Sequence, residues 1–195
     1  MFLKNAFIAL FSFSILHADI LKECKTEADK ISGCVEKEYD SSVNLWRETP
    51  YKNGKKEGIE KRYYENGNLA LEMPYKNGEA EGILKGYYEN GLLRREAPLK
   101  NDKIDGILKE YYENGSLQAE LKVLNDKLHG DTRFYTENGK LLALVKGENG
   151  KIISGKCFND KVLIDKELKE FGRIGDTEER IIYLKEICLK ESDSK

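Results

Sequence analysis

The pentapeptide YYENG recurs in this chain at an interval of 24 residues, and this period limits the possible folds more than any other feature. It occupies 63–67, 87–91 and 111–115, and an altered copy, YTENG, follows at 135–139. Further glycine, proline and leucine positions keep the same spacing, from a worn first copy near 34–57 to fading copies near residue 160. So regular a period over about five units identifies a repeat protein.

Each unit has the pattern of two strands and two turns. Asn90 and Gly91 supply residues that tolerate positive φ in a tight hairpin, and the return strand, 93–99, alternates apolar and polar residues. A second turn near 101–105 leads into the next unit. The predicted fold is therefore mainly β: an open, single-layer antiparallel meander of 24-residue hairpins, with short helical caps at both termini.

The register of the hairpin has two alternatives. A two-residue loop pairs Tyr88 with Leu93, whereas a three-residue loop with a glycine bulge pairs Tyr87 with Leu93. Because the Tyr87 column is repeated more faithfully, we expect the three-residue loop. The column Tyr39, Tyr63, Tyr87, Tyr111 and Tyr135 is then expected to share the leucine face as interior filling, and the column Tyr64, Tyr88 and Tyr112 to face outward.

Residues 1–18 have the pattern of a secretory signal peptide. Lys4 supplies a positive charge, 6–16 form an apolar run too short to span a bilayer comfortably, and Ala18 is a small residue at the expected cut. An uncleaved anchor is the alternative. The pattern predicts an exported protein, either periplasmic or secreted.

Four cysteines form an N-terminal pair and a C-terminal pair, and this even number fits export. Three pairings are possible. We expect Cys24–Cys34 and Cys157–Cys188, because the repeats between the pairs would hold the two ends of the chain far apart. A zinc site is the rival, but thiols this widely spread lack the usual short spacings.

Both ends of the chain carry helical patterns outside the repeats. Residues 19–32 form the first pattern, which ends at Gly33; in the second, Asp176 is the expected N-cap. Ile181, Leu184 and Cys188 would share one face of this second helix. The expected organisation is a signal peptide (1–18), an N-terminal cap (19–34), the repeats (35–160) and a C-terminal segment with a capping helix (161–195).

The units YYENGNLALEMPYKNGEAEG and YYENGLLRREAPLKNDKIDG resemble the MORN-variant repeat. The matching features are the Tyr-Tyr pair, the Glu-Asn-Gly turn, the Gly-x-Leu entry and Lys-Asn-Gly. Bacterial proteins of this kind are often labelled YwqK-type antitoxins. The resemblance implies a single-layer antiparallel sheet, grooved along one face, whose role is binding or scaffolding and never chemistry.

Residues for catalysis are few. His17 and His129 are the only histidines, and the glycines follow the turn period and form no phosphate-binding pattern. The net charge of −2 includes no basic stripe for nucleic acid. We therefore predict a protein that is not an enzyme, with no cofactor, no metal and no small-molecule substrate. Glu72, Glu96 and Glu120 are expected on a solvated face that alternates with Lys and Arg.

Two ladders are the candidate binding residues. Tyr64, Tyr88 and Tyr112 would form an exposed aromatic ladder for a protein partner, with cross-strand packing as the alternative. Lys61, Lys85 and Lys109 could attract anionic lipid or cell-wall polymer. The favoured function is an exported protein-binding or scaffolding module of immunity type or in an envelope assembly. The second hypothesis is a structural envelope protein that contacts anionic lipid or glycan through its lysines.

Overall fold

A computed structural model describes residues 21–189 of the chain. The predicted signal peptide and the last six residues lie outside this described part. Fourteen strands form one antiparallel sheet that stays open, and three helices lie near its ends. In chain order the elements are α1 (Glu27–Ser32), β1 (Cys34–Tyr39), β2 (Leu45–Lys52), β3 (Lys55–Lys56), β4 (Gly58–Tyr63), β5 (Leu69–Lys76), β6 (Glu79–Ala80), β7 (Gly82–Tyr87), β8 (Leu93–Lys100), β9 (Lys103–Ile104), β10 (Gly106–Tyr111), β11 (Leu117–Leu124), β12 (Lys127–Tyr135), β13 (Leu141–Glu148), β14 (Lys151–Cys157), α2 (Asp165–Arg173) and α3 (Thr177–Leu189).

The sheet is a meander of repeated hairpins, as the 24-residue period predicts. The long strands follow one another in the order β1-β2-β4-β5-β7-β8-β10-β11-β12-β13-β14. The two-residue strands β3, β6 and β9 each pair only with the strand before them. Each sequence repeat therefore adds two neighbouring strands to the sheet.

The YYENG segment forms a three-residue hairpin loop. In the copy at 87–91, the Tyr88 amide donates to the Leu92 carbonyl at 2.8 Å, and the Gly91 amide donates to the Tyr88 carbonyl at 2.9 Å. Gly91 has a φ of 85°, which favours glycine. Tyr87 pairs with Leu93, so the expected register is confirmed.

The second turn of each unit is a two-residue loop with positive φ at both central residues. Asn77 and Gly78 have φ values of 52° and 94°, while Asn101 and Asp102 have 49° and 63°. This pattern is typical of a type I′ hairpin, in which Asn, Asp and Gly are preferred. The loop also contacts the preceding unit, because the Gly78 amide donates to the Lys56 carbonyl at 2.9 Å.

A β-bulge in every hairpin decides which side chains share a face. Gly86 pairs with Arg95 and Tyr87 pairs with Leu93, so Arg94 is an extra residue between the two pairs. The side chains of the return strand therefore do not alternate between the two faces without interruption, as expected, but change phase at Arg94. Leu93 lies on the face of Tyr87, whereas Ala97 pairs with Leu84 on the opposite face.

One face of the sheet, which we call the core face, carries the buried side chains. It includes Ala97, Leu108, Leu121 and Val145, all of which are buried. The opposite face, which carries Tyr87 and Leu93, is called the ladder face. The Tyr87 column shares a face with Leu93, as expected. The expectation that this face is the interior is wrong, because the Tyr87 column lies on the ladder face. The Tyr88 column, one residue further on, lies on the core face, where Tyr112 packs against the core.

The C-terminal helices cover the last strands on the core face. Phe171 of α2 makes an edge-to-face contact with Phe134 of β12, with ring centroids 5.5 Å apart. Ile181, Leu184 and Cys188 of α3 are all buried, as expected. The Asp176 carboxylate accepts hydrogen bonds from the Glu178 and Glu179 amides, which confirms it as the N-cap. Helix α2 was not predicted from the sequence.

The N-terminal helix is shorter than expected, since only Glu27–Ser32 is helical within the described residues. Thr26 and Asp29 form a capping box that begins the helix there. The residues before it pair with β1 instead: the Cys24 amide donates to the Val35 carbonyl at 2.9 Å. This pairing covers part of a sheet edge that would otherwise be open.

Both expected disulfides are present. Cys24 is bonded to Cys34 and Cys157 is bonded to Cys188, with Cα–Cα distances of 5.1 and 5.4 Å. The first ties the N-terminal segment to β1. The second ties α3 to the end of β14.

Candidate binding surfaces

The ladder face presents three parallel rows of side chains that cross the strands. In the β7–β8 hairpin the rows pass through the pairs Ile83–Pro98, Lys85–Glu96 and Tyr87–Leu93. The preceding hairpin repeats all three kinds of pair, and the following one repeats the Lys–Glu and Tyr–Leu pairs but places Lys122 opposite Ile107. Because a unit contains two strands, each row repeats about every 10 Å.

The middle row is a strict alternation of basic and acidic residues. Lys85 pairs with Glu96 within its own hairpin and with Glu72 of the preceding one. The expectation that the glutamates alternate with basic residues therefore agrees with the register. The row reads Lys37, Glu48, Lys61, Glu72, Lys85, Glu96, Lys109, Glu120 and Arg133 across nine strands.

The tyrosine row is connected to this charge row by hydrogen bonds. The Tyr87 hydroxyl donates to the Glu72 carboxylate at 2.8 Å, and the Tyr111 hydroxyl donates to Glu96 at 3.1 Å. Burial, together with the neighbouring carboxylate, raises the pKa of Tyr87 and of Tyr111 to about 12. Each ladder-face tyrosine thus binds the unit before its own.

The core-face tyrosines bind in the other direction. The hydroxyls of Tyr64, Tyr88 and Tyr112 donate to the backbone carbonyls of the next unit, at 2.5, 2.6 and 2.7 Å. The acceptors are the carbonyls of Tyr87, Tyr111 and Tyr135. The tyrosine pair of each unit therefore holds both of its neighbours, one from each face of the sheet.

The structure does not bring the six predicted binding residues together. Lys61, Lys85 and Lys109 lie in the charge row of the ladder face. Tyr64, Tyr88 and Tyr112 lie on the core face, because the bulge reverses the expected alternation. A single partner on one face can contact only one of the two sets.

The apolar row of the ladder face was not predicted from the sequence. Ile59, Ile83 and Ile107 are 49%, 50% and 53% exposed, although isoleucine is usually buried. Pro74 and Pro98 stand opposite the first two. The recurrence of isoleucine directly after the repeat glycine is a signal that could have revealed this row.

All three helices pack on the core face, so no described helix covers the ladder face. Lys30 of α1 binds Glu36 and lies over the Tyr51 ring, both on the core face. At the β1 end, Leu21 lines a small cleft on the ladder face beside Ile59. The rest of the ladder face is open to solvent within the described structure.

Residues 21–189 offer neither a metal site nor a membrane-spanning helix. No group of three or more His, Cys, Asp or Glu side chains in this region is placed to hold a metal ion. None of the helices there combines the length and apolar character that a membrane crossing requires. His129 is partly buried, and its Nδ1 atom makes no hydrogen bond there.

This architecture defines a class of protein: an open antiparallel sheet of stacked hairpin repeats. Within that class, the family model described as MORN repeat variant matches residues 56–77, 80–101, 104–125 and 128–146. Residues 56–146 of the chain therefore contain four MORN repeat variant units. MORN repeats are generally non-catalytic modules that bind proteins or membranes.

Comparison with curated protein sequences gives no match. Among solved structures, the chain is similar to the crystal structure of TarM, with 10% sequence identity and a TM-score of 0.28. The alignment covers 72% of this chain and 23% of that one, so this chain spans less than a quarter of TarM. A likeness at this level carries no argument about function.

Proposed function

We propose that this chain is an exported, non-enzymatic module that binds a protein partner along its ladder face. The observation that carries the proposal is the row of half-exposed isoleucines at Ile59, Ile83 and Ile107, which no described helix covers. Apolar side chains of this size on an open surface are typical of protein interfaces. The neighbouring charge and tyrosine rows would supply the polar contacts.

The charge row favours a protein over an anionic polymer. Its five basic and four acidic residues alternate, so the row carries a net charge of only +1. Each of Lys61, Lys85 and Lys109 has a glutamate opposite it on both neighbouring strands. A partner with its own alternating charges would match such a row, whereas a uniformly negative surface would meet a carboxylate beside every lysine.

Export is supported by the two disulfides, because such bonds persist mainly in oxidising compartments. Cleavage of the signal peptide after Ala18 remains part of this proposal. An immunity-type or antitoxin-like role against an exported toxin is the finer form of the hypothesis. Contact with anionic lipid or cell-wall glycan is the alternative.

The test compares the oxidised protein with two matched triple variants. The first, Ile59→Ser with Ile83→Ser and Ile107→Ser, removes the apolar row. The control, Ile31→Ser with Ile164→Ser and Ile182→Ser, changes three isoleucines that are 64%, 61% and 54% exposed on or beside the helices. Each protein is immobilised and used to capture partners from a cell-envelope extract, and the identified partner is then purified for calorimetry.

We expect the wild type and the control to bind the purified partner, and the ladder-face variant to bind it at least tenfold more weakly. Equal binding by all three proteins would refute the assignment to the ladder face. A parallel titration uses vesicles of phosphatidylglycerol or phosphatidylcholine. Binding to the anionic vesicles alone, with a steep loss as salt is added, would favour the lipid alternative.

A further inference from the structure

A second candidate site lies on the opposite face of the sheet, where the N-terminus of α3 meets the core-face tyrosines. Two adjoining clefts of about 240 and 330 Å³ open there. They share Tyr88, Gln118 and Glu178 as lining residues. This site is separate from the ladder face, and the inference drawn from it does not depend on the proposed function.

The larger of the two clefts, which we call the acidic cleft, is lined by carboxylates and tyrosine rings. Glu113 and Glu137 come from successive hairpin loops, and Glu178 comes from the first turn of α3. No basic side chain lines this cleft. Within the described part of the chain, none of the three carboxylates makes an ion pair. The lining of the acidic cleft therefore carries three negative charges, although Glu178 also borders the adjoining cleft that contains Arg94 and Arg95.

The two tyrosines of the acidic cleft are fixed in place. The hydroxyls of Tyr88 and Tyr112 are held by backbone carbonyls at 2.6 and 2.7 Å. Burial, followed by the charges of Glu137 and Glu178, raises the pKa of Tyr112 to about 12. A negative potential of this kind beside aromatic rings favours a cation.

Gln118 provides a second, independent observation about the clefts. The residue is 8% exposed and lines both clefts, yet its amide makes no hydrogen bond to any other described residue. The amide faces the cleft, so only solvent or an occupant of the cleft can satisfy its hydrogen bonds. The repeat does not require glutamine here, because Ala70 and Leu142 occupy the same bulge position in other units. An occupant of the cleft would give this amide its partner.

We propose that the acidic cleft binds an organic cation, either an ammonium or a guanidinium group. Glu137 and Glu178 would pair with its charge, the tyrosine rings would contact its alkyl chain and charge, and the Gln118 carbonyl oxygen would accept a hydrogen bond. An inorganic ion is disfavoured, because no described cluster of His, Cys, Asp or Glu is placed to hold a metal. The smaller adjoining cleft is also a poor site for a free anion, because Glu110 and Asp176 line it together with Arg94 and Arg95.

Such a cation has two sources: the lysine or arginine side chain of a polypeptide, and a free polyamine. The probes are therefore the peptide acetyl-Gly-Lys-Gly-amide, the matching norleucine peptide, which lacks the charge, and spermidine. Each is titrated into isotope-labelled, oxidised protein while NMR follows the side-chain amide signals of Gln118. We expect saturable shifts with the lysine peptide and with spermidine, and none with the norleucine peptide. The tighter of the two binders identifies the source.

Two double variants test the carboxylates. Glu137→Gln with Glu178→Gln removes two charges of the acidic cleft, and we expect binding of the lysine peptide to weaken at least tenfold. The control is Glu65→Gln with Glu179→Gln, which changes a glutamate at the same loop position of an earlier unit and another in the same helical turn. Neither residue lines the acidic cleft, so binding should be unchanged. The isoleucine triple variant of the ladder face should also bind normally.

Gln118→Leu gives a readout that does not require a ligand. Leucine already occupies this position at Leu142, so the variant should raise the Tm of the free protein while it weakens binding of the lysine peptide. A lower Tm would mean that the amide is already bonded within the fold, which would contradict the inference. Equal binding of the lysine and norleucine peptides, or unchanged binding by the Glu137→Gln and Glu178→Gln protein, would overturn it.

Discussion

The tyrosine pairs give the sharpest test of how the two faces are assigned. Tyr112 lies on the core face, where its ring packs against the hydrophobic core and its hydroxyl donates to the Tyr135 carbonyl at 2.7 Å. Tyr111 lies on the ladder face, where its hydroxyl donates to Glu96 at 3.1 Å. The two residues are neighbours of the same type in the same hairpin, so each is a control for the other.

The expected costs follow from these contacts. Tyr112→Phe removes one hydrogen bond between neutral groups, which costs about 1 kcal/mol in the free energy of unfolding. For a chain of this length that corresponds to a Tm lower by about 2–4 °C. Tyr112→Ala also removes the ring. Complete loss of a buried aromatic costs about 3–5 kcal/mol, and because Tyr112 is only partly buried we expect about 2–3 kcal/mol. Tyr111→Ala should cost less, about 1 kcal/mol.

The assay is guanidinium-induced unfolding of the oxidised proteins, followed by far-UV circular dichroism. The difference between the Ala and Phe variants at each position isolates the contribution of the ring from that of the hydroxyl. A larger cost for Tyr111→Ala than for Tyr112→Ala would show that the faces are assigned the wrong way round. Equal costs at both positions would show that the ring of Tyr112 gains nothing from the core.

Two other predictions concern ionised groups. The pKa values of Tyr87 and Tyr111 are raised to about 12 by burial and by their carboxylate partners, so the fold favours the protonated phenols. Their contribution to stability should be complete below pH about 10 and be lost as the pH rises to about 12, and a free energy of unfolding that stays constant over this range would contradict it. Glu60 is fully buried and accepts hydrogen bonds from Lys56 and Arg62 at 2.7 and 2.8 Å. Glu60→Leu should therefore cost about 1–2 kcal/mol, because Lys56 and Arg62 lose their partner but keep access to water. A double-mutant cycle with Lys56→Ala should give a coupling above about 1 kcal/mol, and additive effects would show that the ion pair is weak.

The parts of the fold that depend on short stretches of sequence could be predicted. The period fixes the hairpins, and the Glu-Asn-Gly triplet specifies the three-residue loop, because Gly91 must adopt positive φ. The disulfide pairing follows from the distance between the ends of the sheet. Asp176 is recognisable as an N-cap because a carboxylate three residues before Glu179 can satisfy free helical amides.

The bulge was not predicted from the sequence. Because of it, the two predicted sets of binding residues lie on opposite faces of the sheet. The extra residue at Arg94 does not change the 24-residue spacing, because every unit has a residue at this position. It nevertheless reverses the side-chain alternation between Leu93 and Ala97. The signal is Arg95, a charged residue in an otherwise apolar alternation. The acidic cleft could not be predicted at all, since it depends on where α3 crosses the sheet, which the helix's own sequence does not specify.

The two faces also differ in how strictly they keep the repeat. On the core face the residue type changes from unit to unit, as in Glu60, Leu84, Leu108 and Thr132, which occupy one column.

On the ladder face the charge and tyrosine columns hardly change, whereas the isoleucine column ends at Ile107 and continues with Asp131 in the next unit. The acidic position of the charge row is glutamate in all four units, and the basic position is Lys61, Lys85, Lys109 and then Arg133. Packing explains the variation on the core face, because helices α1, α2 and α3 cover different parts of it and each part needs its own complement of side chains. Packing does not require identical residues on a face that no described helix touches. The hydrogen bonds from the tyrosine row to the glutamates account for part of this regularity, but not for the half-exposed Ile59, Ile83 and Ile107. A partner that contacts successive units in the same way would account for both, and for this reason the ladder face, rather than the more varied core face, is the better candidate for the main binding surface of the repeats.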